Sequence, residues 1–565
     1  MHSESDILRA EPQEDDLRRG VEPVNSSRLA AEAVELDMRF ADRKIRKSKL
    51  RSTFGKTTKS PFLWAVVHSD RNEFATRLQE LHNSFWSGDK KPPSNLALGD
   101  CPNGEEYQTA LLRITRLAYG LVPIDSNSED PNSEQIEAKG FEIVRDPLLQ
   151  QLLTIELPLW RQFTDELSSD DEKVNSLADF EELVAELLDQ DGWIEGYAIE
   201  DWGLLAASWC RSHQLLRAMD LHVDPDVSDQ LTQLAEQLLR NSRDDGSLLH
   251  GEPGGGINCK AFRKMVCQWA RGFSRQSLER KSKLTGRPPA QTSISEWAQA
   301  GVLRRNWKPR GNKVGFAFDS NRIRLDIDNG RTLICGECMP QLAIDGQAIS
   351  PGNEIGVSCF MRFEHGEYAE LEIEYGEWKL QRQLLLLADD QLLLVADNLI
   401  GKATAEIDYR CLYPLGANQK IVKESETNEF YLRDGERYCL VLPLAFPEWK
   451  TEKRSGNIEF GETDFEVTYK QRGGGMSFPL LFDLNPKRSV KPRTWRRLTV
   501  AEEMAPVGSD VAVAYRVQIA RKQWVFYRTL AEAASRTFLG ENFADDFFVG
   551  SMNLNGTIKA MLEIE

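Results

Sequence analysis

The sequence predicts a multidomain α+β chain, a helical half followed by an antiparallel β half, and the change of apolar spacing near residue 300 is what predicts it. From Ser176, the residues Leu177, Phe180, Leu183, Val184, Leu187 and Leu188 recur at three and four positions, which makes one buried stripe on a 3.6-residue turn. Past residue 320, Ile323, Leu325 and Ile327 alternate with Arg324, Asp326 and Asp328, so successive side chains point to a dry and a wet face of a sheet. With 565 residues the chain is too long for one ordinary core, and 41% apolar residues suffice for two or three domains. An all-α part joined to an all-β part implies layered domains with a groove between them.

In chain order, residues 1–60 read as a polar arm, 61–295 as the helical domain and 296–565 as an antiparallel β-sandwich. Helices are expected at about 70–86, 106–120, 146–165, 176–189, 203–220, 227–241 and 257–273, with an exposed polar loop at 124–138. Asp191-Gly192 and Asp245-Gly246 each follow a helix, 54 residues apart, a spacing that fits one helix pair and its connections. If that repeat holds, hairpins stack side by side and their turns collect on one rim. The connection Thr285 to Ser293 leads into the β half. There Ala369, Leu371, Ile373 and Tyr375 alternate with Glu370, Glu372 and Glu374 as a half-exposed strand. The turn pairs Asp345-Gly346, Asp434-Gly435 and Asn555-Gly556 favour a sandwich of two sheets over a parallel fold.

Charge and composition narrow the function. A formal net charge of −18 disfavours general binding of polyanionic nucleic acid. Between Arg39 and Lys59 stand nine basic residues and one acid, Asp42, read either as a solvated arm or as a contact for an anionic surface. No apolar run suits a secretory signal or a membrane span, and nine scattered cysteines argue against a complete disulfide framework, so a cytoplasmic, soluble protein is expected. Cys335 and Cys338 form a lone Cys-x-x-Cys without a second pair to complete a zinc site, and fit a strand and its following turn. Gly254-Gly255-Gly256 lacks the Gly-Lys-Ser/Thr ending of a phosphate loop, and no zinc helix, nucleophile elbow or calcium loop occurs.

Several segments resemble the heparinase II/III-like polysaccharide lyases. Gly301-Val302-Leu303-Arg304-Arg305-Asn306-Trp307 is similar to the segment that opens that family's sandwich. Trp378 to Leu387 with Gln391 to Asp397, Tyr527-Arg528-Thr529-Leu530, and Arg536-Thr537-Phe538-Leu539-Gly540 through Phe547-Phe548-Val549-Gly550 are similar to its later strands. Asp191-Gly192-Trp193-Ile194-Glu195 and Asp245-Gly246-Ser247-Leu248 resemble its Asp-Gly turns. The resemblance covers roughly residues 180–565. It implies an incomplete α/α toroid packed on an antiparallel sandwich, acting on an acidic polysaccharide or oligosaccharide; the charge and the lack of an apolar span lead to no nucleic-acid or membrane partner being expected.

Such a lyase removes the proton beside a uronate carboxylate and expels the glycosidic oxygen. The chemistry needs a neutraliser for the carboxylate, a base and an acid. Tyr197, His213 and His250 are the candidates for proton transfer; Arg211 and Arg304 are candidates for gripping the carboxylate, because a guanidinium offers two parallel hydrogen bonds. Trp202, Trp209 and His213 stand at i, i+7 and i+11, a spacing that serves either a sugar-stacking stripe or a core stripe, and Glu195 adjoins the first Asp-Gly turn. No cofactor is expected, and a divalent metal is left open. The chain departs from the family in two places. The Tyr-His pair expected after the first Asp-Gly turn is replaced by Ile199-Glu200-Asp201-Trp202, and the strand Arg322 to Asp328 lacks the usual histidine. His365 is the one histidine of the β half and a possible replacement. A noncatalytic descendant that binds glycan or protein is the alternative.

Overall fold

The computed structural model describes residues 169–250 and 290–565, apart from 200–201, 244–246, 305, 308–310 and 353, together with 147, 151–156, 158, 159 and 162. The basic stretch 39–59, the loop 124–138, Gly254–Gly256, the expected helices at 70–86, 106–120 and 257–273 and half of 146–165 lie outside the described residues. The chain divides into two compact units. One comprises residues up to 179 with 211–221, and the other 180–210 with 222–565.

Three helices fall close to the expected ranges 176–189, 203–220 and 227–241. α1 (Asp170–Leu187) begins before its apolar stripe because Ser169 and Glu172 cap it reciprocally: Ser169 Oγ accepts from the Glu172 N–H at 3.2 Å, and the Ser169 N–H donates to Glu172 Oε2 at 3.3 Å. Asp170, Asp171 and Glu172 also complement the helix dipole. α2 is Trp202–Ala218. α3 (Pro225–Asn241) opens on Pro225 with Asp224 accepting from the Asp226 N–H at 2.8 Å, and it buries Val227, Leu231, Leu234 and Leu238. In the smaller unit, Gln151 Nε2 donates to Ser212 Oγ at 3.1 Å and Gln162 Nε2 to Ser176 Oγ at 2.8 Å.

The second unit continues as antiparallel sheets. The first sheet runs in chain order: β1 (Ser293–Ser295), β2 (Ala300–Leu303), β3 (Lys313–Phe318), β4 (Ile323–Asp328) and β5 (Thr332–Glu337). A larger middle sheet is built from β6 (Gln341–Ile344), β7 (Gln347–Ile349), β8 (Ile355–Phe363), β9 (Gly366–Tyr375), β10 (Trp378–Leu387), β11 (Leu392–Pro414), β12 (Lys420–Lys423), β13 (Phe430–Asp434), β14 (Arg437–Pro443), β15 (Gly456–Phe460) and β16 (Asp464–Asp483). Its main path is β12-β13-β14-β16-β11-β10-β9-β8. Beyond it, Arg493–Leu498, Ala512–Ile519, Lys522–Thr529, Phe547–Met552 and Ile558–Ile564 form a third sheet, and four short strands between Ala501 and Phe543 form a fourth.

The runs Leu384–Leu387 and Leu392–Val395 explain the stacking. Leu384 pairs with Val395 and Leu386 with Leu393, and these four join the core shared with the first sheet. Leu385, Leu387, Leu392 and Leu394 point the other way, into the core shared with the third sheet. A strand covered on both faces needs continuous apolar sequence rather than alternation. The expected two-sheet sandwich is therefore a stack in which the middle sheet is covered on each face.

The same covering corrects the expected wet faces. Asp326 and Asp328 on β4 are buried, Asp328 with Lys313 Nζ at 2.9 Å. Glu370 on β9 is buried too, accepting from Tyr368 Oη at 2.6 Å and Ser358 Oγ at 2.9 Å. Cys335 lies in β5 and Cys338 just past it, as expected. No helix among the described residues is long and apolar enough to cross a membrane.

Candidate functional site

The residues that flank the two Asp-Gly pairs are hydrogen-bonded alike. An isolated bridge joins Leu188 to Ile194 after α1, and another joins Ser242 to Leu248 after α3, each member displaced by 54 residues. The hydrogen bonds repeat with the same displacement. The Asp189 N–H donates to Trp193 O at 3.0 Å and the Arg243 N–H to Ser247 O at 2.7 Å; the Glu195 N–H donates to Leu187 O at 3.0 Å and the Leu249 N–H to Asn241 O at 2.8 Å. Gly192 is required in the first turn: its φ is +77°, and a Cβ there would stand 2.2 Å from backbone atoms of Gln233 and Leu234 on α3.

Each turn docks on the first sheet. Asp189 Oδ1 accepts from the Trp193 and Asp191 N–H groups at 2.7 and 3.0 Å, and Oδ2 accepts from Ser295 Oγ at 2.9 Å. Trp193 Nε1 and Gln237 Nε2 both reach Ser293 Oγ, at 3.0 and 3.2 Å. In the second turn Arg243 Nη2 donates to Asp326 Oδ1 at 2.7 Å with both side chains sealed from solvent. Arg324 Nε approaches Asp326 Oδ2 at 3.3 Å, and the His250 backbone N–H donates to the same oxygen at 2.9 Å. Burial pushes the Asp326 carboxyl up, but Arg243 and Arg324 outweigh it and hold the group below its usual range. Beside it the Cys335 thiol is pushed up to about 12, first by burial and then by the Asp326 charge, so it stays protonated.

His250 sits in an aromatic slot. Trp193 and Trp202 stack at 5.9 Å, and the imidazole lies 6.4 and 6.2 Å from them. It is wholly buried with φ +70°, packs over Gly315 of β3, and neither ring nitrogen has a hydrogen-bond partner among the described residues. Its Nδ1 is 4.0 Å from Asp326 Oδ2, too far for a hydrogen bond. Burial lowers its pKa to about 4, the Asp326 charge opposing and Arg324 and Arg243 assisting, so the ring is neutral at pH 7.

The other sequence candidates are placed as follows. His213 lies on α2 within the smaller unit, partly exposed, its pKa lowered by burial and then by Arg217, which leaves a neutral imidazole. Tyr197 lies in the short 3-10 turn Gly196–Ala198 directly after the first Asp-Gly turn, with Glu195 half-buried ahead of it. The side chains of Tyr197 and Arg211 are outside the described ones. Trp202 and Trp209 are 1% and 0% exposed, so they take the core alternative and offer no stacking surface. Arg304 is sealed as well. It donates to Arg240 O at 2.9 Å and Asn306 O at 3.1 Å and covers the Trp307 ring, which ties the end of α3 to the exit of β2. His365 stands between β8 and β9, 3.6 Å from Asp389. Tyr197 and Glu195 thus lie just after the first Asp-Gly pair and His250 just after the second.

Sequence reasoning missed Arg243 and Asp326. The available signal was positional: Arg243 occupies, 54 residues on, the place of Asp189. A separate cleft of about 300 Å³ is lined by Gln341, Ala343, Asp408, Tyr409, Arg410 and Lys470, and Lys470 is paired with Asp408 at 2.7 Å. Among the described residues no cluster of three or more His, Cys, Asp or Glu suits a metal ion.

The crystal structure of heparinase III superposes with a TM-score of 0.52 at 12% identity, covering 93% of this chain and 94% of that one. The chain has a heparinase III-like fold. Heparan sulfate lyase HepC from Pedobacter heparinus gives 0.48 at 13% identity over 91% of this chain and 84% of that one, and the assignment rests on the former. No protein-family model and no curated protein matches the sequence. In the heparinase III-like fold found here, the antiparallel sheets account for the strands from Ser293 onward, and the paired Asp-Gly turns are tied to the first of them.

Proposed function

We propose that this heparinase III-like protein is a polysaccharide lyase that cleaves a uronate-containing acidic glycan by β-elimination. The observation that carries the reading is the likeness to heparinase III along 93% of the chain. In this reading the helical half is an incomplete α/α toroid, for which the 54-residue recurrence of turn hydrogen bonds is the support. Tyr197 is the proton carrier, next to Glu195 on the first turn; His213 and Arg211, on α2, are the sequence's further candidates for proton transfer and for the carboxylate. The deprotonated Tyr197 takes the C5 proton beside the neutralised uronate carboxylate, the electron pair expels the glycosidic oxygen at C4, and that oxygen leaves with the proton handed on by Tyr197, giving an unsaturated uronate end. Arg304 is not used, since it is spent on backbone carbonyls. His250 holds the second turn on Asp326 through its N–H, and its sealed ring fills the slot between the tryptophans.

The sealed His250 and the committed Arg304 favour a second reading, a noncatalytic relative that binds glycan. Incubating the full chain with heparan sulfate, chondroitin sulfate, hyaluronan and alginate, while following the ultraviolet absorbance of unsaturated uronate ends, separates the two. Growth of absorbance that is abolished by Tyr197→Phe supports the lyase. A flat trace on every substrate, with a glycan retained on the protein, establishes the binding protein instead.

A further inference from the structure

We propose that Trp297 is a stacking platform for one pyranose ring of the glycan, set beside the Tyr197 segment; this rests on the glycan reading above. The β1–β2 turn, Glu296 to Gln299, presents the indole 43% exposed, whereas Trp193, Trp202, Trp209, Trp495 and Trp524 are all 0–1% exposed. An exposed indole forgoes a large apolar burial, and such a ring on a rigid turn is suited to a partner that is apolar on one face and polar at its edges. A pyranose has that character: its axial C–H groups cover the ring face while its hydroxyls remain in water.

The turn is fixed rather than loose. Ala298 beside the tryptophan is wholly buried and its N–H donates to Ser295 Oγ at 3.1 Å. The Gln299 N–H donates to Glu296 O at 3.1 Å, Gln299 takes φ +50°, and its carbonyl accepts from the Phe318 N–H at 2.8 Å. These bonds turn Ala298 inward and leave Trp297 outward. A platform whose backbone is already ordered loses little entropy on binding.

Two observations place the platform next to the first Asp-Gly turn. Ser295 Oγ donates to Asp189 Oδ2 at 2.9 Å, so the carboxylate that shapes the first Asp-Gly turn also holds the hairpin. A Cβ on Gly196 would lie 3.0 Å from Ala298 O and 3.1 Å from Gln299 Oε1, so the hairpin backbone lies directly against the segment that carries Tyr197. Glycine at 196 permits that approach.

The test uses the full chain with Trp297→Ala and Trp297→Phe, and Trp449→Ala as a control at the other strongly exposed tryptophan among the described residues, 46% exposed. Binding of acidic oligosaccharides is followed by tryptophan fluorescence and by calorimetry, and turnover by the absorbance of unsaturated ends. The alanine variant is expected to raise KM or Kd about tenfold with kcat changed less than about twofold, because a stacking contact is made equally in ground and transition states. The phenylalanine variant should keep most of the affinity, and the control should match wild type. Melting temperatures should be equal in all four, which a structural role for the indole would contradict. If wild type binds or cleaves a glycan and the alanine variant does so with unchanged constants, the platform is wrong and the glycan reading stands. If wild type neither binds nor cleaves any of the panel, both fall.

Discussion

Mild acid should weaken the sheet-bearing unit through His250, and asparagine at that position should remove the effect. The imidazole takes up its proton near 6.5 in the unfolded chain but only at about 4 in the folded one, because the slot between Trp193 and Trp202 withholds water from the charge. Between those values the unfolded state binds the extra proton, so stability is fully present above 6.5, falls as the pH drops towards 4 and then levels off. The full loss is roughly 3 kcal/mol, of which about 2 kcal/mol is incurred between about pH 7 and about pH 4.5. The ring is faced by Asp326, Arg243 and Arg324, and these do not blur the window. Asp326 is held below its ordinary 3.8, so its own contribution persists until the pH falls below that value. His250→Asn suits the +70° φ, since asparagine tolerates the left-handed region, and it carries no titrating group. It should cost about 1–3 kcal/mol at neutral pH through lost packing and should flatten the acid slope. Urea transitions followed by tryptophan fluorescence at both pH values give the two slopes. Parallel slopes for wild type and variant would refute the reasoning.

Two further substitutions test the docking of the turns. Asp326→Asn removes the carboxylate charge that meets the buried Arg243 guanidinium at 2.7 Å and should lower stability by about 3–5 kcal/mol in thermal melts, with Arg243→Met in the same chain recovering part of the loss. Gly192→Ala should destabilise by more than about 2 kcal/mol, since its Cβ would meet backbone at 2.2 Å, whereas Gly346→Ala, at nearly the same φ of +78° but with nothing within 4 Å, should cost only about 1 kcal/mol.

The elements that local chemistry specifies were legible in the sequence. α1, α2 and α3 follow apolar stripes at three and four residues, and the Asp345-Gly346 turn has both residues at positive φ, as a tight hairpin demands. Burial of charge was not legible, because it depends on which sheet covers which. The alternation in β4 read as a wet face, yet Asp326 is covered by a turn whose Arg243 lies 83 residues earlier. His250 read as a candidate for proton transfer, yet its N–H is bound 76 residues away and its ring is sealed by tryptophans. Arg304 resembled a carboxylate binder by sequence, and only the geometry shows its donors turned to the carbonyls of α3.

The pairing of Asp189 with Arg243 explains why the repeat is faint in sequence and plain in structure. Both residues occupy the first position after the bridge that closes a helix, and both reach from that position to the first sheet. What they meet there differs. Asp189 meets the hydroxyl of Ser295 at a half-buried edge, where a carboxylate remains partly hydrated and also fastens two N–H groups of its own turn. Arg243 meets Asp326 in a sealed interior, where one charge without the other would be costly and a pair is tolerated. The backbone hydrogen bonds of the repeat are insensitive to this exchange, since they use only N–H and C=O groups, so the geometry survives while the side chains change sign. The first turn keeps the wetter anchor, and it is there that Glu195, the Tyr197 segment and the Trp297 hairpin adjoin. On the proposed lyase reading the glycan would lie at the first turn, with the second bracing it.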